Sequence, residues 1–433
     1  MEPAKVAIIG FGTIGSGVAK LLLEHRERIA RHAGRPVELV RVVDKDLTRP
    51  RNVALPEGLL TDDVESVLAD RSIEHVVQLI GGLEPERTIM LKMLEAGKNV
   101  VTANKALLAE HGPELFDRAR ELGRTIAFEA AVAGGIPIIA AMSESLTANQ
   151  ILSIHAILNG TSNFILTQME EQQADYRAAV AEAQRLGYAE ANPAMDVDGS
   201  DAAQKLAILA HLAFGVRLSW REIPRVGIDS VDIADIRFAQ ELGYRIKLLA
   251  VGDLTPEGLE LHVSPTLVRH GSPLAEVRGA FNAVRVVGDV VGRVFFQGQG
   301  AGQMPTASAV TADLISTVVG RTKLTFRALE LWSDQRPAQV VTRQPATITG
   351  RFYLRFSVDD RPGVMAEIAG ILGRRNISIA SIIQHEAGDN SPGTVPLIIM
   401  THAAPNGVVE EALREIKRLP CVHAGSVRLR VRD

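Results

Sequence analysis

Lys5–His25 reads KVAIIGFGTIGSGVAKLLLEH, and its three parts decide the fold. KVAII is a short apolar run rich in β-branched residues, the composition of a strand buried on both faces. Gly10, Gly12 and Gly15 follow in GFGTIG, and VAKLLLEH continues with apolar residues at helical spacing. Strand, glycine turn and helix together form the context that the dinucleotide fingerprint requires. The glycines allow a tight turn and close approach of the backbone to a pyrophosphate. The helix N-terminus adds free N–H groups and a positive partial charge. Gly10, Gly12, Thr13, Ile14 and Gly15 are therefore the expected cradle for NAD or NADP.

Further strands alternate with helices. Val37–Val43 ends at Asp44, and His75–Ile80, Asn99–Thr102 and Thr125–Ala130 follow. This alternation implies an α/β chain with a Rossmann-type, doubly wound parallel sheet, whose ligand lies at the carboxyl ends of the strands. Two later loops lie at such ends: Gly81-Gly82-Leu83-Glu84-Pro85, and TANKALLAEHG over Thr102–Gly112, which carries Ala103 and Lys105. Asp44 stands where an acid bonds a ribose 2′-hydroxyl, which favours NAD. Lys45, Arg49 and Arg51 follow at once and suit a 2′-phosphate, so both cofactors stay open.

Composition narrows the class. At 433 residues the chain is too long for one ordinary core and implies two or three domains. The net charge is −4 without a long basic run, which argues against a nucleic-acid partner. The single cysteine, Cys421, allows no internal disulfide or thiolate metal site and fits a reducing cytoplasm. The N-terminus lacks the order of a signal peptide, and no apolar run is long enough to span a membrane.

A second informative stretch is AEANPAMDVDGSDAAQKLAILAH, Ala189–His211, which gathers Glu190, Asp196, Asp198 and Asp201 ahead of Lys205. A calcium loop is excluded. Counted from Asp196, glycine falls fourth rather than sixth, and Ala207 stands where the bidentate glutamate belongs. Ser200 or Asp201 is placed to cap a helix, with Asp201 and Lys205 one turn apart. The apolar continuation KLAILAHLAF buries much of that helix. A buried acid–lysine pair facing a cleft is a usual way to tune a proton for chemistry. A carbonyl that receives hydride builds negative charge on its oxygen, which needs a cation and a proton. Lysine offers both, and burial lowers its pKa.

GFGTIG, GGLEP, VTANKALLAEHG, FEAAVAGGIPII, NGTSNFIL, LGYAEANPAMDVDGSDAAQKLAILA and QGQGAGQMPTASAV, in this order over residues 5 to 320, resemble homoserine dehydrogenase. The resemblance implies reversible NAD(P)-linked reduction of L-aspartate 4-semialdehyde to L-homoserine, toward threonine and methionine. It is to the form without an attached aspartate-kinase domain. It implies Lys205 as proton donor fixed by Asp201, Lys105 assisting near the nicotinamide, and Glu190 and Asp201 binding substrate with Asp196 in support. It extends the cofactor contacts to Gly81, Ala103, Gly187 and Gly302. It also implies a monovalent cation, sodium, at the Glu129 side chain and the carbonyls of Val132, Gly134 and Ile136. Asn192, Ser162 and Phe164 depart from the family pattern.

Domains are expected at residues 1–135 for the nucleotide, with a return segment at 303–322, and at 136–302 for an α+β substrate and dimerisation domain. A linker is expected at 323–350. From residue 351 to 433 the pattern is β-α-β-β-α-β, a ferredoxin-like plan. Phe352, Leu354, Phe356 and Val358 alternate as in a half-buried strand, and Val364, Met365, Ile368, Ala369 and Leu372 share a helix face. DDRPGVMAEIAGILGRRNISIASI resembles an ACT domain, which implies a homo-oligomer, dimer or tetramer, and feedback by threonine near Gly363 and Asn376.

Overall fold

In a computed structural model that describes residues 2–328, 340–385 and 393–432, the chain divides into two compact units. The first holds residues 1–154, 201–223 and 281–341, the second residues 155–200, 224–280 and 342–433.

The first unit is built on six strands in the spatial order Leu60–Thr61, Val37–Val43, Ala4–Ile9, Ile73–Gln78, Asn99–Thr102 and Ile126–Ala127, all parallel. The chain winds outward one way from Ala4–Ile9 and then the other way from Ile73–Gln78. The topological switch point therefore lies between these two strands, where such sheets bind their ligand. Five of the six residues of Ala4–Ile9 are buried, which explains why its sequence is continuously apolar rather than alternating. The helix Gln303–Val318 packs on the helix Thr13–Glu24. Contact is so close that a Cβ on Gly17 would meet Gln303 Cγ at 3.0 Å and Ala307 Cβ at 3.1 Å.

Three details differ from the sequence expectation. The strand expected at 75–80 is Ile73–Gln78, because the chain turns away at Gly81 and Gly82, the latter at a φ of 109°. The strand expected at 125–130 shrinks to Ile126–Ala127 and passes into a 3₁₀ turn, Glu129–Ala131. The amide of Glu129 leaves the sheet to donate to Asp313 at 2.8 Å. The two-residue edge strand Leu60–Thr61 is too short to show a pattern.

In the second unit Tyr244–Thr255 and Gly258–Arg269 form a long antiparallel hairpin, and Val427–Arg432 pairs parallel with its second strand. The strand Thr349–Asp359 pairs antiparallel with Thr394–Thr401 on one side and Val427–Arg432 on the other, and Ile379–Gln384 completes this group beside Thr394–Thr401. With helices Val364–Arg374 and Asn406–Ile416 this is the expected ferredoxin-like plan. Its core holds Phe352, Leu354, Phe356 and Val358 against Ile368, Leu372, Ala412 and Ile416. Of the linker expected at 323–350, the first residues continue the helix Thr322–Ala328 and Pro345–Thr347 make one 3₁₀ turn; residues 329–339 lie outside the described residues.

A buried ion pair anchors this plan within its unit. Asp235 is fully buried, caps the helix Ile233–Glu241 through the amide of Asp232, and accepts from Arg355 Nε at 2.6 Å, Arg355 Nη2 at 2.9 Å and the Tyr353 hydroxyl at 2.9 Å. Removing one charge leaves the other desolvated. Asp235→Ala should therefore lower unfolding stability by about 3–5 kcal/mol in denaturant titration, whereas Tyr353→Phe should cost only about 1 kcal/mol.

Candidate active site

The glycine cradle sits at the switch point. Gly10 has a φ of 96°, and a Cβ there would meet the Leu79 carbonyl carbon at 2.8 Å, so the loop backs directly onto the neighbouring strand end. A Cβ on Gly15 would lie 2.0 Å from the Gly10 carbonyl oxygen, while one on Gly12 would meet nothing within 4 Å. Gly10 and Gly15 are thus closed by the protein, and Gly12 keeps the open side that a phosphate needs. Thr13 and Ile14 open the helix that follows. Gln303 ties the return helix to this turn through the Thr13 carbonyl at 2.9 Å and Ser16 Oγ at 3.0 Å. Gly302, at a φ of 118°, is the residue before that helix.

Asp44 has both oxygens in use. Oδ2 accepts from the Phe11 amide at 2.6 Å and Oδ1 from the Asp46 amide at 2.9 Å. Arg51 is equally committed, donating to the carbonyls of Phe11 at 2.8 Å, Arg49 at 2.9 Å and Asp46 at 2.5 Å, with its guanidinium over the Phe11 ring. Lys45 and Arg49 remain exposed.

The loop after the strand Asn99–Thr102 joins this cradle to the lysines. Asn104 caps the helix Lys105–Glu121, accepting from the Leu107 amide at 3.0 Å. Its amide nitrogen donates to the carbonyls of Ile80 and Gly82 at 3.2 and 2.8 Å, beside Gly81. Lys105 is the first residue of that helix, next to Ala103. Its Nζ lies 2.9 Å from Asp201 Oδ1, and Lys205 Nζ lies 2.8 Å from Asp201 Oδ2. One carboxylate thus bridges two ammonium groups that are 100 residues apart in sequence. The side chain of Asp201 is 7% exposed and that of Lys205 12%, while Lys105 is 38% exposed and faces solvent. The capping expectation is corrected: the helix begins at Ser200, and it is Asp198 that accepts from the Ser200 amide, at 2.7 Å.

Sequence reasoning missed a second attachment. Glu110, on the Lys105 helix, accepts from Trp220 Nε1 at 3.1 Å and Arg221 Nη1 at 2.7 Å. Burial opposes its ionisation, but the Arg221 and Trp220 hydrogen bonds hold its carboxyl below the ordinary value. It clamps the far end of the 201–223 segment to the same helix. Gln204, one turn after Asp201, is buried, and its Oε1 has no hydrogen-bond partner.

Glu129 is buried at the turn that carries Val132, Gly134 and Ile136. Its two oxygens accept from the amides of Ile139 and Ala140, each at 2.8 Å. Burial pushes its carboxyl up to about 7, against these bonds and helped by Glu144. The Ile136 carbonyl accepts from the Ile138 amide at 2.8 Å. Gly134, at a φ of 42°, has the Gly300 carbonyl oxygen 2.5 Å from where a Cβ would be. Backbone contact between the GGIP and QGQGAG segments is therefore as close as their small residues suggest.

The other expected residues belong to the second unit. Asp196 Oδ1 accepts from Asn159 Nδ2 at 2.7 Å, and its carbonyl from Ser162 Oγ at 2.8 Å. Glu190 is exposed, and Gly187 turns the chain at a φ of 78°. Gly363 and Asn376 take left-handed φ values of 93° and 55° at the start and just past the end of the helix Val364–Arg374, which is turn chemistry that favours glycine and asparagine.

Hydride chemistry at a carbonyl needs a nicotinamide cradle and a cationic proton source, and this unit joins the two through Asn104; the class is that of an NAD(P)-dependent oxidoreductase. Residues 10–129 match the family described as homoserine dehydrogenase, NAD binding domain, residues 137–315 the homoserine dehydrogenase family, and residues 352–421 the ACT domain. A homoserine dehydrogenase of Pseudomonas aeruginosa is 44% identical over all of this chain and 99% of its own length, and that of Neisseria gonorrhoeae 41% over 98% and 97%. A crystal structure of a homoserine dehydrogenase from Thiobacillus denitrificans superposes with a TM-score of 0.92 at 41% identity, covering 100% of this chain and 99% of that one. The chain belongs to the homoserine dehydrogenase family and carries its ACT domain. Among the described residues no helix is long and apolar enough to cross a membrane.

The two glycines separate folding from binding. Gly15→Ala should destabilise the unliganded protein by roughly 1–3 kcal/mol, because its Cβ meets fixed backbone. Gly12→Ala should leave the unliganded melting temperature unchanged and weaken NAD(P) binding at least about tenfold in fluorescence titration, through lost backbone approach.

Proposed function

We propose that the bridged trio Lys105, Asp201 and Lys205 carries the family reaction, reversible conversion of L-aspartate 4-semialdehyde to L-homoserine. The observation that supports it is the shared carboxylate. The nicotinamide supplies or accepts the hydride. Lys205, the more buried cation, donates its Nζ proton to the substrate oxygen as charge develops there, and takes it back in the oxidative direction. Asp201 fixes the direction of that Nζ and keeps the pair oriented between turnovers. Lys105, at the carboxyl end of the sheet, steadies the same oxygen from the cofactor side. Glu190 and Asp196 keep the roles that the resemblance gives them, Glu190 as a carboxylate for the substrate ammonium and Asp196 as support behind it.

The preference for NADP over NAD follows from the second strand's end. With both Asp44 oxygens engaged by backbone amides, a ribose hydroxyl has to compete for them, while Lys45 and Arg49 stay available to a 2′-phosphate. An archaeal homoserine dehydrogenase mutant, 27% identical, was solved in complex with NADPH. A sodium-sized cation fits the chemistry at Glu129: a buried carboxylate without a neighbouring cation among the described residues gains most from one, and oxygen-only ligation from Val132, Gly134 and Ile136 suits a hard ion. Gly187 and Gly302 complete the cofactor contacts. The ACT domain takes a small-molecule effector, threonine, near Gly363 and Asn376, in a cytoplasmic homo-oligomer.

Steady-state oxidation of L-homoserine tests the trio. Lys205→Met should lower kcat by about 10²–10⁴ with cofactor affinity kept, and kcat/KM should be higher with NADP than with NAD. A Lys205→Met protein that still turns over at the wild-type rate would sink the assignment.

The cation reading has a pH signature. The folded value of Glu129, about 7, lies above its ordinary 4.5, so the native state holds a proton that the unfolded chain has released. Its stabilising effect is complete below the unfolded value and declines as pH rises through about 7. In choline chloride the melting temperature should therefore fall from about pH 5 to about pH 8, and Glu129→Gln should flatten that fall. Replacing choline by sodium should raise the wild-type melting temperature at the alkaline end and leave Glu129→Gln unmoved. An equal sodium effect on both proteins would exclude this site.

A further inference from the structure

The second unit contains a cavity that no step of the reaction uses. It has a volume of about 260 Å³ and lies where the hairpin strand Gly258–Arg269 meets the last strand, Val427–Arg432, and the start of the helix Asn406–Ile416. Alternation along the paired strands directs His262, Ser264, Arg428 and Arg430 to this one side, since Arg430 registers with Thr266. Arg225 lies at its rim.

Three arginines face this space against a single acid, Glu410. Glu410 is already bound by Arg428 Nη1 at 3.2 Å and Asn406 Nδ2 at 3.0 Å, and Arg428 also reaches Asn406 Oδ1 at 2.9 Å. Arg430 is different. Its guanidinium packs 5.7 Å from the Phe352 ring centroid, and among the described residues no carboxylate pairs with it. Burial, with Arg428 and Arg432 nearby, depresses its pKa to about 10. His262 is 2% exposed and lines the same space. Its Nδ1 lies 3.0 Å from Ser264 Oγ, and its Nε2 has no hydrogen-bond partner. When the serine donates to Nδ1, the neutral imidazole carries its proton on Nε2, an enclosed atom behind the cavity wall. The half-buried Arg430 guanidinium feels Glu260 and Glu410 only at a distance, with no direct carboxylate partner among the described residues. A small anion in the cavity supplies that partner.

We propose that this cavity is a binding site for a small oxyanion, the carboxylate or phosphate of a metabolite, held bidentately by Arg430 with the His262 side chain forming the wall beside it. Arg430 takes the anion's two oxygens in the fork geometry that suits both groups, and the rim arginine adds long-range attraction. The ligand bridges the hairpin, the last ACT strand and the Asn406 helix, so it stabilises the junction of these three elements in the second unit.

The test uses the full chain, with inorganic phosphate and succinate as the two probes, read by melting temperature and by isothermal titration. Gly12→Ala serves as background, so that binding at the nucleotide cradle is weakened, and binding at this cavity is taken as the part that Arg430→Met removes. Saturable binding of one or both probes is expected, and the tighter one identifies the oxyanion class. Arg430→Met should weaken it at least about tenfold, the value of a charge-assisted hydrogen bond, and His262→Phe by several-fold. Arg430→Met should also leave the unliganded melting temperature unchanged or raise it, because it removes a partly desolvated charge that no carboxylate contacts directly among the described residues. A large fall in that temperature would make Arg430 a structural cation and overturn the proposal, as would probe binding equal in Arg430→Met and its parent, or none to the parent. Arg430→Lys, which keeps the charge and loses the fork, should bind with intermediate affinity.

Discussion

Two contacts to one carboxylate hold the proposed site together. Asp201 gives one oxygen to Lys105 and the other to Lys205. A buried Asp201 facing only Lys205 would be an ordinary pair one helix turn apart. With Lys105 on its second oxygen, two cations meet on one anion. Such a cluster loses much of its hydration, and removing the acid would set two ammonium groups against each other. The helix Ser200–Phe214 must therefore hold its register, and the Lys105 helix must begin one residue after its cap.

The fold meets that demand through a short series of contacts. Gly10 lies against Leu79 because no Cβ intervenes, which fixes the cradle to the strand that ends at Gln78. Asn104 bonds the carbonyls of Ile80 and Gly82 just beyond, and in capping its helix it sets the direction of Lys105. Glu110, along the same helix, grips Trp220 and Arg221 and so holds the far end of the Asp201–Ile223 segment. The glycine cradle and Lys105 are thus joined within one unit, by the backbone contact of Gly10 with Leu79 and by the Asn104 side chain.

What was legible in the sequence follows from range. The glycine fingerprint, the apolar parallel strands and the alternation of Phe352 to Val358 are local patterns with periods that reveal them. Asp201 and Lys205 are four residues apart and could be paired by counting. Lys105 with Asp201, Glu110 with Trp220 and Asp313 with Glu129 are joined only by the winding of the chain, and no spacing encodes them; the lysine pair entered through resemblance. The helix start was readable only to within a residue or two: Asp198, Ser200 and Asp201 all suit an N-terminus, and the Ser200 amide goes to Asp198. Asp44 shows the same competition: its position was readable, but its use by Phe11 and Asp46 was not.

Glu129 and Asp313 illustrate how such a competition settles. Each is raised above its ordinary pKa, Glu129 by burial and by Glu144, Asp313 by burial and by Glu129. Asp313 accepts the Glu129 amide, so it joins the return helix to the end of the sheet whether or not it is charged. Glu129 accepts two amides at the head of the helix Ile138–Ala140, and these favour its ionised form. The two therefore divide between them what one site cannot hold. Asp313 is pushed further toward the neutral state, and Glu129 stays at about 7. Burial beside a like charge moves Asp313 the more, while the two backbone amides hold Glu129 back.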